Sequence, residues 1–215
     1  FITVCRELFT MIHANVKLSN AELSLACDAN IILTKNRIIE KVYLLFGELY
    51  HQLQQQSFAK KQLPSPEIYI PAAKIYKGEK YRELPYVLLD YPRCFRKEDV
   101  FALRHFFWWG NFFSITLHLA GMYAEQHGVT VLENLQRQQN SSWFICVNKD
   151  QWQHHFEQDN FVEVHRVPYE EQVRQVKKYK FLKIAQHVPI IQWNDAFSFF
   201  MNTNIEIHKL LKEPA

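Results

Sequence analysis

The chain has 215 residues, 48% of them apolar and 15% aromatic, with five glycines and a formal net charge of +3. That composition supplies a sizeable core and argues against disorder, and the charge is too slight to imply a nucleic-acid partner by itself. No apolar run reaches 18 residues; the nearest, 106–121, alternates and contains Asn111 and His118, which argues against a membrane span.

The four cysteines, Cys5, Cys27, Cys94 and Cys146, form no CxxC pair and fit no zinc spacing. Scattered thiols of this kind suit a reducing cytoplasm. No basic-then-apolar signal segment opens the chain, which begins at Phe1, so further N-terminal sequence is expected to precede it.

In chain order, residues 1–14 read as a short helix with Val4, Leu8, Met11 and Ile12 on one side. Ser19 or Asn20 can cap a second helix over 21–28. A long helix over 31–56 follows, with an apolar stripe of Ile38, Val42, Leu45, Leu49 and Leu53. The stretch 57–71 holds three prolines and reads as a connector. Residues 72–83 suggest a short strand turning at Lys77-Gly78. Residues 84–91 form a strand that Pro92 ends.

Beyond a charged turn at 96–99, strands over 100–109 and 112–120 flank Gly110-Asn111. A helix over 129–139 and a strand over 143–148 come next. Asp150 can then cap a helix over 151–158. The stretch 170–179 is helical, and 181–187 alternates as a strand. Pro189 opens a last helix packed by Ile190, Trp193, Phe197, Phe200 and Met201. The sum is an α+β domain over 1–215: a helical part to 56, the connector, then a mainly antiparallel sheet of about five strands with helices.

Gly-Asn between two apolar runs signals a two-residue hairpin turn with glycine at its first central position. Trp109 would then pair with Phe112, Phe107 with Ser114, His105 with Thr116 and Leu103 with His118. One face would hold Leu103, His105, Phe107, Trp109, Phe112, Ser114, Thr116 and His118, and the other would be apolar apart from Arg104. A one-residue slip would exchange the faces of one strand. On this register His105 and His118 are diagonal neighbours, roughly 7–8 Å apart at the backbone, and could reach one ligand. No third ligand or HExxH pattern supports a metal, and none is expected. Arg104 needs a carboxylate if buried, and Asp90 is the nearest candidate.

Lys74, Lys77, Lys80 and Arg82 alternate with Tyr69, Tyr76, Tyr81, Tyr86 and Tyr91, a mixture that single-stranded nucleic acid would use; a solvated sheet edge explains it more simply. His154, His155, Glu157 and Asp159 read as the polar side of a helix. There is no GxSxG and no phosphate-cradling glycine loop, so no cofactor is expected.

The stretches LTKNRIIEKVYLLFGEL (33–49), LPYVLLDYPRCF and FFWWGNFFSITLHLAG (84–121) and KYKFLKIAQHVPIIQW (178–193) resemble a group of uncharacterised bacterial proteins typical of the Bacteroidota. The resemblance implies a bacterial, cytoplasmic, single-domain protein and brings no catalytic residue with it. The leading expectation is a cytoplasmic domain binding a small molecule or a protein partner through His105, Trp109, Phe112, Ser114, Thr116 and His118. An enzyme of unknown class using His105 or His118 as acid or base is the second. A nucleic-acid binder through 69–104 is the third. Exposed rings on the hairpin could equally form a homodimer contact.

Overall fold

The computed structural model of the chain describes residues 16–55, 66–69, 72–138 and 142–212. The helix expected over 1–14 and most of the connector lie outside them. The first described helix, α1 (Asn20–Cys27), starts on a capping box. Ser19 Oγ accepts from Glu22 N, and the Glu22 carboxylate accepts from Ser19 N at 2.8 Å.

Helix α2 spans Ala29–Gln55 and buries Ile39, Val42, Phe46, Leu49 and Leu53. Val42, Leu49 and Leu53 are buried as expected, while Ile39 and Phe46 are more deeply buried than their expected neighbours Ile38 and Leu45. The chain divides into two compact units within this helix, one ending at Lys41 and the other starting at Val42. The first exposes Leu23, Leu25, Ile31, Ile32 and Leu33. The sheet belongs to the second. Among the described residues no helix is long and apolar enough to cross a membrane.

The sheet has seven strands, not five: β1 (Lys74–Tyr81), β2 (Leu84–Phe95), β3 (Val100–Trp108), β4 (Phe112–Ala120), β5 (Phe144–Cys146), β6 (Phe161–Glu163) and β7 (Phe181–Pro189). Their order is β1-β2-β3-β4-β7-β5-β6, and every pairing is antiparallel. Lys77 and Gly78 lie inside β1 opposite Val87 and Tyr86, where the Tyr86 ring fills the space a side chain at 78 would need. The reversal falls instead at Arg82-Glu83, both with positive φ, the pattern of a two-residue hairpin. Strand β2 runs on past Pro92: it bulges at the cis Tyr91-Pro92 bond and regains pairing at Arg93.

The central hairpin differs from expectation by one residue. Asn111 N donates to Trp108 O, so Gly110, with φ +73°, takes the second central position of the turn rather than the first. Three residues, Trp109 to Asn111, form the loop. Trp108 therefore pairs with Phe112, Arg104 with Thr116, His105 with Ile115, and Ala102 with His118.

One sheet face carries Leu103, His105, Phe107, Phe113, Ile115 and Leu117 and packs against helices. Helix α3 (Met122–Arg137) begins directly after Gly121, and its Tyr123 meets Phe101 at 5.6 Å between ring centroids. Helix α4 (Tyr169–Tyr179) follows β6. Pro189 ends β7 and leads through a 3-10 turn into α5 (Ala196–Leu210). Phe200 of α5 sits between Phe113, at 5.9 Å, and Phe46 of α2, at 5.6 Å. All three rings are fully buried, each contributing on the order of 2–3 kcal/mol.

The other face lies under the irregular segment 147–160, where a helix over 151–158 was expected. Asp150 does accept from Trp152 N, as a cap would. The N–H groups of His154 and His155, however, donate to the Tyr81 hydroxyl at 2.7 and 3.0 Å. A helix would need those two donors for its own i→i−4 bonds, so the hydroxyl holds the segment out of helical form.

Candidate functional site

Antiparallel register sorts the second face into rows. At one end of the sheet stand Val100, Ala120 and Phe181. The next row holds Ala102, His118 and Lys183, and the row after it Asp90, Arg104, Thr116 and Ala185. Successive rows lie roughly 7 Å apart, two residues of strand rise. Phe106, Ser114 and His187 follow, then Trp108 and Phe112.

The expected site residues divide between the two faces. Phe112, Ser114, Thr116 and His118 share the segment-covered face, but His105 faces the helices. Trp109 belongs to the turn. The β3 residues beside His118 are Ala102 and Arg104, not Leu103 and His105. The slip follows from the role Gly110 takes in the turn.

His105 is fully buried and satisfied. Its Nδ1–H donates to Leu89 O at 3.2 Å, and its Nε2 accepts from Asn204 Nδ2 at 2.9 Å. Burial pushes its pKa down to about 4. That is a neutral core histidine with no path to solvent.

The segment-covered face gathers the buried cations. Arg104 holds Asp90 through two bonds, Nε to Oδ1 at 2.7 Å and Nη2 to Oδ2 at 2.8 Å. Its Nη1 donates to His154 Nε2 at 3.3 Å, which fixes His154 as the neutral tautomer protonated on Nδ1. His118 Nε2–H donates to Gln151 Oε1 at 2.7 Å. Lys183, 1% exposed, donates to Gln153 O at 2.6 Å and lies 5.2 Å from the centre of the Phe161 ring. Burial lowers the Lys183 pKa to about 8. Burial, with the Lys183 charge next, holds His118 well below the usual histidine range; burial, then Arg104 and Lys183, does the same to His154.

All three acceptors facing the sheet, Gln151, Gln153 and His154, come from one four-residue stretch. Small side chains at Ala102, Ala120 and Ala185 leave it the room. Lys183, His154 and Gln153 were not singled out from sequence as parts of this face. A lysine inside the alternating run Phe181–His187 was the available signal, because its alternation puts Lys183 on the face of Phe181 and Ala185.

The same stretch walls an open cleft of about 690 Å³ at the end of the sheet, lined by Phe95, Val100, Ala120, Gly121, Gln151 and Trp152 among others. Trp152 is 45% exposed and Phe95 38%, with ring centroids 6.3 Å apart. Behind them Trp152 stands edge-on to His118 at 5.2 Å, and Phe95 lies 5.9 Å from the Arg104 guanidinium. Arg96, Lys97 and Lys180 bring positive charge to the cleft; Glu98, Asp99 and Glu125 bring negative charge.

Neither family models, nor curated proteins, nor solved structures match this chain.

Two other groupings have structural explanations. Among the described residues, His155, Glu157 and Asp159 are the three that place metal-ligand atoms together. The Tyr81 hydroxyl already accepts two backbone N–H groups and lies 3.0 Å from His155 Nδ1, so it donates its proton there. The imidazole hydrogen is then on Nε2, 3.2 Å from Asp159 Oδ1, and is not free to ligate. Glu157 also pairs with Arg82 at 3.0 Å. As for the tyrosines of 69–104, the Tyr81 ring packs on Tyr86, Phe106 and Trp108, and Tyr91 is buried against Tyr50. Those rings are spent on packing rather than displayed as a base-stacking platform.

Proposed function

We propose that the protein is a small-molecule-binding domain whose site is the cleft at the sheet end together with the polar row behind it. One observation carries the proposal: the stretch Gln151–His154 both walls the cleft and supplies the acceptors for three buried donors of the sheet. A ligand entering between Phe95 and Trp152 meets two exposed rings first and a small set of convergent polar groups next, the composition of an ordinary ligand site. A cytoplasmic setting belongs to the same proposal. Cys94 and Cys146 are buried thiols on opposite faces of the sheet, a placement suited to a reducing compartment.

The test is a thermal-shift screen of small aromatic and polar compounds on wild type and on Trp152→Ala. Compounds that use the cleft raise the wild-type melting temperature and lose that effect in the variant. Hits that stabilise both proteins equally place the site elsewhere and overturn the proposal.

An acid–base enzyme is the second reading. His118 supports it: burial and the Lys183 charge keep it neutral, and it lies one row in from the cleft. His105, sealed on the opposite face, is not the residue such an enzyme would use.

A further inference from the structure

We infer that the ligand of this site carries an oxyanion, a carboxylate or a phosphate, which replaces Gln153 O and Gln151 Oε1 on Lys183 and His118. The inference rests on the binding reading above and adds the ligand's chemistry.

Lys183 is the starting point. A buried ammonium carries three N–H donors, and among the described residues Lys183 finds one acceptor, the neutral Gln153 carbonyl. Among the described residues the one buried carboxylate of this face, Asp90, is paired with Arg104 through two bonds. Asp150 is exposed and engaged by Trp152 N and Gln153 Nε2. The protonated cluster of Arg104, Lys183 and Asp90 thus keeps one positive charge without a buried counter-ion. Buried charges are ordinarily paired, so a lone one asks for a partner from outside.

Two of the donors stand side by side, behind the cleft rather than in its lining. His118 and Lys183 are direct cross-strand partners, roughly 5 Å apart at the backbone, and both point to the same side. Ala102, the neighbour of His118 on β3, offers no side chain that would crowd a ligand there. Arg104 stands one row deeper with its Nη1 turned to His154. The acceptors now in place are an amide oxygen, a backbone carbonyl and an imidazole nitrogen. Hydrogen bonds with an ionised partner are about twice as strong as neutral ones, so an oxyanion strengthens the bond from the neutral His118 N–H, and at Lys183 it adds the counter-charge that a carbonyl lacks. The lowered Lys183 pKa agrees with a charge lacking its counter-ion. The cleft beyond Trp152 then accommodates the rest of the ligand.

The experiment is an NMR titration of the whole chain with inorganic phosphate and, separately, acetate, at constant ionic strength against chloride. A saturable shift of the 151–154 amides and of Lys183 with phosphate identifies a phosphoryl ligand; the same response to acetate alone identifies a carboxylate. Either supports the inference. Lys183→Met should abolish the response while melting at or above the wild-type temperature in chloride, because it removes an unpaired buried charge. Shifts confined to surface lysines, a response unchanged in Lys183→Met, or no saturable response to either anion overturns it. Should the variant fail to fold, the wild-type shift map alone decides. Neutral indole serves as the control for the underlying reading. If it moves Trp152 while neither anion moves 151–154, the oxyanion is wrong and the cleft stands. If none of the three probes acts, both fall.

Discussion

His105 and His118 lie on opposite faces of one sheet, both buried, with β3 and β4 between them. They share no partner: His105 belongs to the α5 interface through Asn204, and His118 to the covering segment through Gln151. Their alanine variants should therefore act independently. His105→Ala leaves Leu89 O and Asn204 Nδ2 short of a partner and should cost about 2–4 kcal/mol. The double variant should equal the sum of the singles to within about 0.5 kcal/mol in denaturant unfolding. A larger coupling energy would mean that the two rings share a site after all.

Acid should weaken the fold before ordinary carboxylates titrate. The folded pKa of His105 is about 4 against an ordinary 6.5, and those of His118 and His154 are also depressed. Between these values the unfolded chain binds more protons than the native one, so stability rises with pH and is lost as pH falls from about 6.5 toward 4. His105 alone contributes up to about 3 kcal/mol of that loss. Urea midpoints at pH 7, 6, 5 and 4 measure the slope, and His105→Asn should flatten it. A profile unchanged by the substitution would remove His105 as a source.

The Arg104–Asp90 pair should show the asymmetry of buried ions. Asp90→Asn leaves a buried guanidinium without its counter-charge and should destabilise by about 3–5 kcal/mol. Asp90→Asn combined with Arg104→Met should regain most of that loss. Equilibrium unfolding of the two variants decides, and a double variant no better than the single one contradicts the account.

Gly121 should tolerate no side chain. Its φ of +56° and ψ of −130° suit glycine, and an added Cβ would meet the Asp99 carboxylate and stand 2.7 Å from Glu98 O. Asp99 Oδ1 accepts from Met122 N at 2.9 Å and so caps α3 from the β2–β3 loop. Gly121→Ala should cost about 2–4 kcal/mol through backbone strain and the displaced cap, read as a lowered melting temperature. A neutral substitution would show that the loop yields freely.

Local pattern made the class of fold legible. Alternation marked β3, β4 and β7, Pro92 led the reading to the strand before it, and the 3.6-residue stripe marked α2; β3 and β4 prove buried on both faces, one under helices and one under segment 147–160. Arg104 led to Asp90 by the need of a buried guanidinium for a carboxylate. Register was harder, since Gly110 can serve either central position of a turn and a period of two converts that choice into a swap of faces. The burial of Lys183 was not legible because it depends on a segment 30 residues away in sequence. The 151–158 stretch has helical spacing, and the group that overrules it, Tyr81, lies 73 residues upstream. Neither fact is local.

That tyrosine has a consequence for assembly. Segment 147–160 leaves β5 near one border of the sheet and ties itself to the end of β1 at the other, crossing every strand between. A crossing piece of this kind cannot dock until both borders exist, so it closes late, at the loop-closure cost of a long separation. Arg104, His118 and Lys183 therefore give up water only at that last closure, when residues 151–154 bring their acceptors.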